Sequence, residues 1–137
     1  QTLTSPLNRY IDDLLKTYKL PPERLGLVGF SQGAMVALHL ALLRPQCAGV
    51  VAYSGAFLDD PTEFKLAKPP VLLIHGADDL VLTPSLSEKA ESRLKMLGVP
   101  VTFSLLPQLD HQIDGRGLGM GGAFLQDVLG DPQEGSV

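Results

Sequence analysis

Four short apolar runs set the layout of the chain: Leu25–Gly29, Gly49–Tyr53, Val71–His75 and Val101–Leu106. The first three are almost continuously apolar, which predicts strands buried on both faces of a parallel sheet. In the fourth, Thr102 and Ser104 alternate with apolar neighbours, as expected near a sheet edge. Segments of helical period separate the runs. Leu7, Ile11, Leu14, Leu15 and Tyr18 form one stripe after the start signal Ser5-Pro6, and Pro21-Pro22 ends it. Asp12 and Asp13 fall on the solvated side of that helix. The run Ala34–Leu43 is apolar nearly all round, as a helix packed under other elements should be, and Pro45 closes it. Thr83-Pro84 reads as a cap followed by a first-turn proline. Leu86, Ala90, Leu94 and Leu97 continue that helix, and Gly98 stops it. A glycine-laden approach, Gly115 to Gly122, leads to a last helix expected near Gly121–Leu129, with a frayed tail after Gly130. The pattern therefore predicts an α/β fold of about four parallel strands with flanking helices.

Composition narrows the functional classes. With 137 residues the chain is one domain able to bury a useful core. Its 45% hydrophobic and 19% charged content excludes disorder, and a net charge of −4 leaves no basic stripe for nucleic acid. No apolar run is long enough to span a bilayer. Cys47 is the single cysteine, so there is no disulfide framework or metal-type spacing; it is expected to be a small buried hydrophobe in a cytoplasmic protein. Residue 1 is Gln rather than Met and no signal-peptide core follows, so the domain is expected to be N-terminally truncated.

The chemistry is concentrated at the ends of the strands. Gly29-Phe30-Ser31-Gln32-Gly33 is a Gly-x-Ser-x-Gly motif between an apolar strand and an apolar helix, the setting of the nucleophile elbow of α/β-hydrolases. Gly29 and Gly33 are both expected to permit close approach of strand and helix. A serine hydroxyl needs a base within hydrogen-bond reach, and the base needs an acid to fix its tautomer. In an open parallel sheet reactive groups gather beyond the carboxyl ends of the strands. There the chain offers Ser31, then Asp78 or Asp79, then His111, in the Ser…Asp…His order of α/β-hydrolases. His39 lies eight residues along the helix from Ser31, roughly 12 Å away, too far to serve as the base.

These motifs resemble the phospholipase/carboxylesterase family, which includes bacterial carboxylesterases and acyl-protein thioesterases. Gly29–Gly33 matches its elbow, His75-Gly76-Ala77-Asp78-Asp79 resembles its His-Gly-x-x-Asp acid loop, and His111 matches its histidine after the final strand. The likeness runs from about Leu7 to Leu129 and implies the C-terminal part of an α/β-hydrolase fold. It implies a catalytic triad of Ser31, Asp79 and His111, an oxyanion-hole donor at the backbone N–H of Gln32, and a shaping role for His75 in the acid loop. No cofactor or metal is implied.

In such a fold another strand normally lies beside the nucleophile strand, and the loop after it supplies the second oxyanion-hole donor. Nothing in residues 1–30 resembles that loop. The Leu25–Gly29 strand is therefore expected to expose an apolar edge that pairs with a missing N-terminal segment or with a second copy in a homodimer. The segment Ala56–Pro70, with Asp59, Asp60 and Pro61, is too short for a lid domain, which favours small or medium esters. Expected function is thus serine carboxylic-ester hydrolysis. The alternatives are an inactive or partner-dependent hydrolase fragment serving as an assembly or binding module, a dienelactone hydrolase or peptidase on the same fold, and an acyl-protein thioesterase or lysophospholipase.

Overall fold

The computed structural model describes residues 4–17, 25–43, 47–55 and 68–130. Eight elements follow one another along these residues: α1 (Thr4–Thr17), β1 (Gly26–Phe30), α2 (Gln32–Leu43), β2 (Gly49–Tyr53), β3 (Val71–Gly76), α3 (Ser85–Met96), β4 (Val101–Leu106) and α4 (Gly115–Leu129). The strands form one sheet in the order β1-β2-β3-β4, every pair parallel. Gly26 pairs with Gly49, Val50 with Val71, and Val71 with Val101, so all four strands run out at the same end of the sheet.

Alternation along the central strands sorts their side chains to two faces. On one, Val50, Ala52, Val71 and Leu73 pack with Ala34, Leu38, Ala41 and Leu42 of α2 and with Ala90 and Leu94 of α3. On the other, Val51, Tyr53, Leu72 and Ile74 pack with Leu106 and Leu109, and Phe124 and Leu125 of α4 cover them. Both faces of β2 and β3 are thereby buried, which is why their sequences are apolar up to His75 near the end of β3. β4 is one edge and carries the alternating pattern. β1 is the other, and Val28 is 53% exposed there. The region 56–67, including Asp59, Asp60 and Pro61, lies outside the described residues, as do Tyr18 and the Pro21-Pro22 stop.

Three expectations are corrected. The last helix begins at Gly115, six residues before Gly121, so the glycine-laden stretch is itself helical. Asp114 caps it by accepting from the Gly117 N–H. Gly117 and Gly121 let it lie close against β2: the Tyr53 hydroxyl donates to the Gly117 carbonyl, and a Cβ at Gly121 would run into Tyr53 Oη. Tertiary packing here overrides the poor helix propensity of glycine. Thr83 does not cap α3, because its hydroxyl meets that of Ser85 instead. Leu14 in the α1 stripe is 40% exposed. At the far end of α3 the expected glycine stop is present: Gly98 has φ +80°, with Gly98 N–H bonded to Lys95 O and Val99 N–H to Leu94 O.

Candidate active site

Three of the four strand ends, those of β1, β3 and β4, each deliver one polar group to a common point. Ser31 occupies the turn from β1 into α2 with φ 58°, a left-handed conformation rare for a residue with a side chain. Its N–H donates to Tyr53 O of the neighbouring strand, and its carbonyl accepts from Ala34 and Met35 at the start of α2. The turn requires Gly29: a Cβ there would collide with the Gly33 carbonyl and stand 2.6 Å from Ala34 N. Gly33 does not share that role. Among the described residues nothing lies within 4 Å of where its Cβ would be, so the second glycine of the motif meets no steric demand. Gln32 opens α2, which leaves its N–H among the first-turn donors without an intrahelical acceptor.

The acid loop follows β3. Asp79 is 1% exposed, whereas Asp78 is exposed and turns its N–H to Leu109 O. Asp79 Oδ1 accepts the N–H groups of Val81 and Leu82, both at 2.9 Å, and Oδ2 accepts from His111 Nδ1 at 2.7 Å. Burial alone would push the Asp79 carboxyl up. The bonds from His111, Leu82 and Val81 outweigh it and hold the group below the usual carboxylate value.

His111 stands in the loop after β4, which is bound to the acid loop by Ala77 N–H to Leu106 O and Asp78 N–H to Leu109 O. Its Nε2 lies 3.0 Å from Ser31 Oγ. With Nδ1–H committed to Asp79, Nε2 is left as the acceptor for the serine hydroxyl. The structure thus joins Ser31, His111 and Asp79 in one hydrogen-bonded line. Such a line can pass a proton from the hydroxyl to an imidazole whose cation the carboxylate stabilises.

Other residues surround the line. The Phe30 ring lies 4.8 Å from that of His111, tilted by 38°. Gly55, after β2, touches the start of α2: its Cβ would be 2.5 Å from Ala34 Cβ. Beneath the acid loop, His75 is fully buried between Leu82 O, at 2.7 Å from Nε2, and Ser87 Oγ of α3, at 2.6 Å from Nδ1. Ser87 carries no sequence signal, since a serine on a helix is ordinarily a surface residue. His39 lies on α2, and its Nε2 is buried with no hydrogen-bond partner among the described residues. No group of three or more His, Cys, Asp or Glu side chains among them could hold a metal ion.

Known proteins resemble the chain in sequence and in fold. The chain is 34% identical to lysophospholipase-like protein 1 of Mus musculus over 116 residues, 79% of this chain and 48% of that protein. It is 33% identical to the esterase YpfH of Escherichia coli strain K12 over 93 residues, 67% of this chain and 40% of the other. It therefore spans about half or less of the length of these curated relatives. The crystal structure of esterase PE8 superposes with a TM-score of 0.88 at 37% identity, over 93% of this chain and 61% of that one. The Phospholipase/Carboxylesterase family matches residues 2–129, a span that takes in α1 to the end of α4 and all three loops of the Ser31 site. By that match, and by relatives alike in sequence and in fold, the chain belongs to the Phospholipase/Carboxylesterase family.

Proposed function

We propose that this chain carries the reacting groups of a serine carboxylic-ester hydrolase acting on small or medium esters. Ser31 Oγ attacks the ester carbonyl carbon while His111 Nε2 takes its proton, and Asp79 orients and stabilises the imidazolium. The tetrahedral oxyanion rests on the Gln32 N–H. Collapse expels the alcohol, which takes the proton from His111 and leaves an acyl-Ser31 ester. Water, deprotonated by His111, then releases the acid and restores the serine.

The observation that carries this reading is the unbroken path of 3.0 Å and 2.7 Å from Ser31 through His111 to Asp79. The strained φ of Ser31 supports it, since left-handed backbone at a non-glycine residue is costly and concentrates at functional sites. The outer edge of β1, beside the elbow, is the place where a further strand would pair. In this reading that strand belongs to an N-terminal segment or to a second copy, and its loop supplies the second oxyanion-hole donor. Removal of one such donor typically costs about 10²–10³ in rate.

The test is labelling by a fluorophosphonate probe together with turnover of a chromogenic short-chain ester. Labelling at Ser31, with both signals lost in Ser31→Ala, is the expected result. A folded protein that neither labels nor turns over ester, or a Ser31→Ala variant that keeps full activity, would overturn the assignment.

A further inference from the structure

His111 stands at the tip of its loop. Asp110 and Gln112 on either side are exposed, and Gln112 N–H closes the turn on Asp110 O at 2.9 Å. The imidazole is therefore placed by what the ring itself touches. Nδ1 is tied to Asp79 Oδ2 at 2.7 Å and Nε2 to Ser31 Oγ at 3.0 Å. The torsion that sets the plane of a histidine ring has only a broad preference, so the chain does not fix that plane by itself. Hydrogen bonds weaken steeply when bent, and a ring that tilts loses its partners.

Phe30 meets the face of this ring, with centroids 4.8 Å apart and planes 38° from parallel. Separations in this range are attractive between aromatic rings. Phe30 closes β1, where it pairs with Tyr53, and the next N–H, that of Ser31, is bonded to Tyr53 O. One short stretch of backbone thus presents both the serine and the ring that lies against its base. Phe30 is 37% exposed and belongs to neither apolar cluster of the fold, so core packing does not account for it.

We propose that Phe30 is a positioning residue for His111 and that its effect falls on deacylation. The inference rests on the ester-hydrolase reading. While Ser31 is free, the imidazole has a hydrogen bond at each nitrogen. Once Ser31 is acylated, its oxygen has no proton to donate and the bond at Nε2 is gone. The ring is then held by Asp79 at one edge and by Phe30 on its face. In that state a water oxygen bonds to the acyl carbon as His111 Nε2 takes its proton. The bond from that carbon to Ser31 Oγ then breaks, and the proton passes to Oγ. An imidazole free to tilt about its single remaining bond meets the water correctly in fewer of its orientations.

The test compares the unaltered chain with two ringless variants, Phe30→Leu and Phe30→Ile, and with Phe30→Tyr, which keeps the ring. Labelling rate with a fluorophosphonate probe and kcat/KM on a chromogenic short-chain ester report attack by Ser31. Decay of acyl-Ser31, followed by mass spectrometry after the ester is removed, reports deacylation. All rates are taken per labelled site, so a change in the folded fraction cancels. In the ringless variants acyl-Ser31 should decay about tenfold more slowly, while labelling and kcat/KM stay within about threefold of the parent. Phe30→Tyr should decay like the parent. Equal loss in both steps would reduce Phe30 to scaffold, and a rise in KM alone would make it a wall of the substrate site. Either result overturns the proposal, as does unchanged decay in the ringless variants or slow decay in Phe30→Tyr. An unaltered chain that neither labels nor turns over ester sinks the hydrolase reading and this proposal with it. An active parent whose ringless variants decay at its own rate sinks this proposal alone.

Discussion

Gly76 closes β3 at the point where the acid-bearing and histidine-bearing loops touch. A Cβ built there would collide with Leu109 O and stand 2.5 Å from Asp110 O and 2.8 Å from the Leu109 carbonyl carbon. Real Cβ atoms stay beyond 3.0 Å of such neighbours, so in Gly76→Ala the Asp110 carbonyl must retreat by at least about 0.5 Å (3.0 minus 2.5). No flexible side-chain tip can absorb that movement, because every atom in the way is backbone. The Leu109 carbonyl is also tied to Asp78 N–H at 2.9 Å. His111 is the next residue along, with only 2.7 Å to Asp79 and 3.0 Å to Ser31. Overpacking of this kind costs about 1–3 kcal/mol, and a misplacement approaching 1 Å at reacting groups costs about 10²-fold. Gly76→Ala should therefore fold with a lowered melting temperature and turn over a chromogenic short-chain ester about 10²-fold more slowly, mostly in kcat. Steady-state kinetics beside a thermal melt check both. A folded variant within about threefold of the unaltered rate would show that the two loops are not held by this contact.

Three further outcomes are expected. Ser31→Ala should lower kcat by about four orders of magnitude or more while leaving the melting temperature close to that of the parent, as read by ester turnover and circular dichroism. Gly119 and Gly122 face open space on α4, so Gly119→Ala and Gly122→Ala should each stabilise by about 0.5–1 kcal/mol in urea unfolding, whereas Gly121→Ala, pressed against Tyr53, should destabilise. The Asp79 carboxyl is held below its ordinary value, so its ionised form favours the fold above about pH 4, and that contribution is lost as pH falls through the folded-state value. The melting temperature of the unaltered protein should accordingly drop more steeply between about pH 5 and 3 than that of Asp79→Asn.

The strands were legible in the sequence because burial on both faces leaves mostly apolar side chains in the central pair; β2 and β4 occupy the expected residues, and β1 is displaced by one. The loop bearing Ser31 could be chosen from its Gly-x-Ser-x-Gly motif between strand and helix, and that bearing His111 from chain order and sheet topology. Chain order and strand topology left Asp78 and Asp79 both open, because neighbouring residues in a turn point in unrelated directions, and it was the resemblance to the His-Gly-x-x-Asp loop that chose Asp79. The fold puts Asp78 in solvent and Asp79 against His111. The start of α4 was hidden for a different reason. Its glycines read as loop, and the signal that makes them helical is a tyrosine hydroxyl more than sixty residues earlier in the chain. Ser87 and Phe30 were invisible because their importance lies in what they touch across the sheet.

The terminal hydrogen bonds of the strands form a staircase. Ser31 N–H reaches Tyr53 O, Ser54 N–H reaches Ile74 O, and Ala77 N–H reaches Leu106 O, each step landing on the next strand. Nucleophile, acid and base are thus riveted to the first, third and fourth treads of one object and have no hinge of their own. Heat inactivation and melting of the sheet should consequently trace the same curve, with no temperature at which the scaffold survives and its reactive corner has come loose.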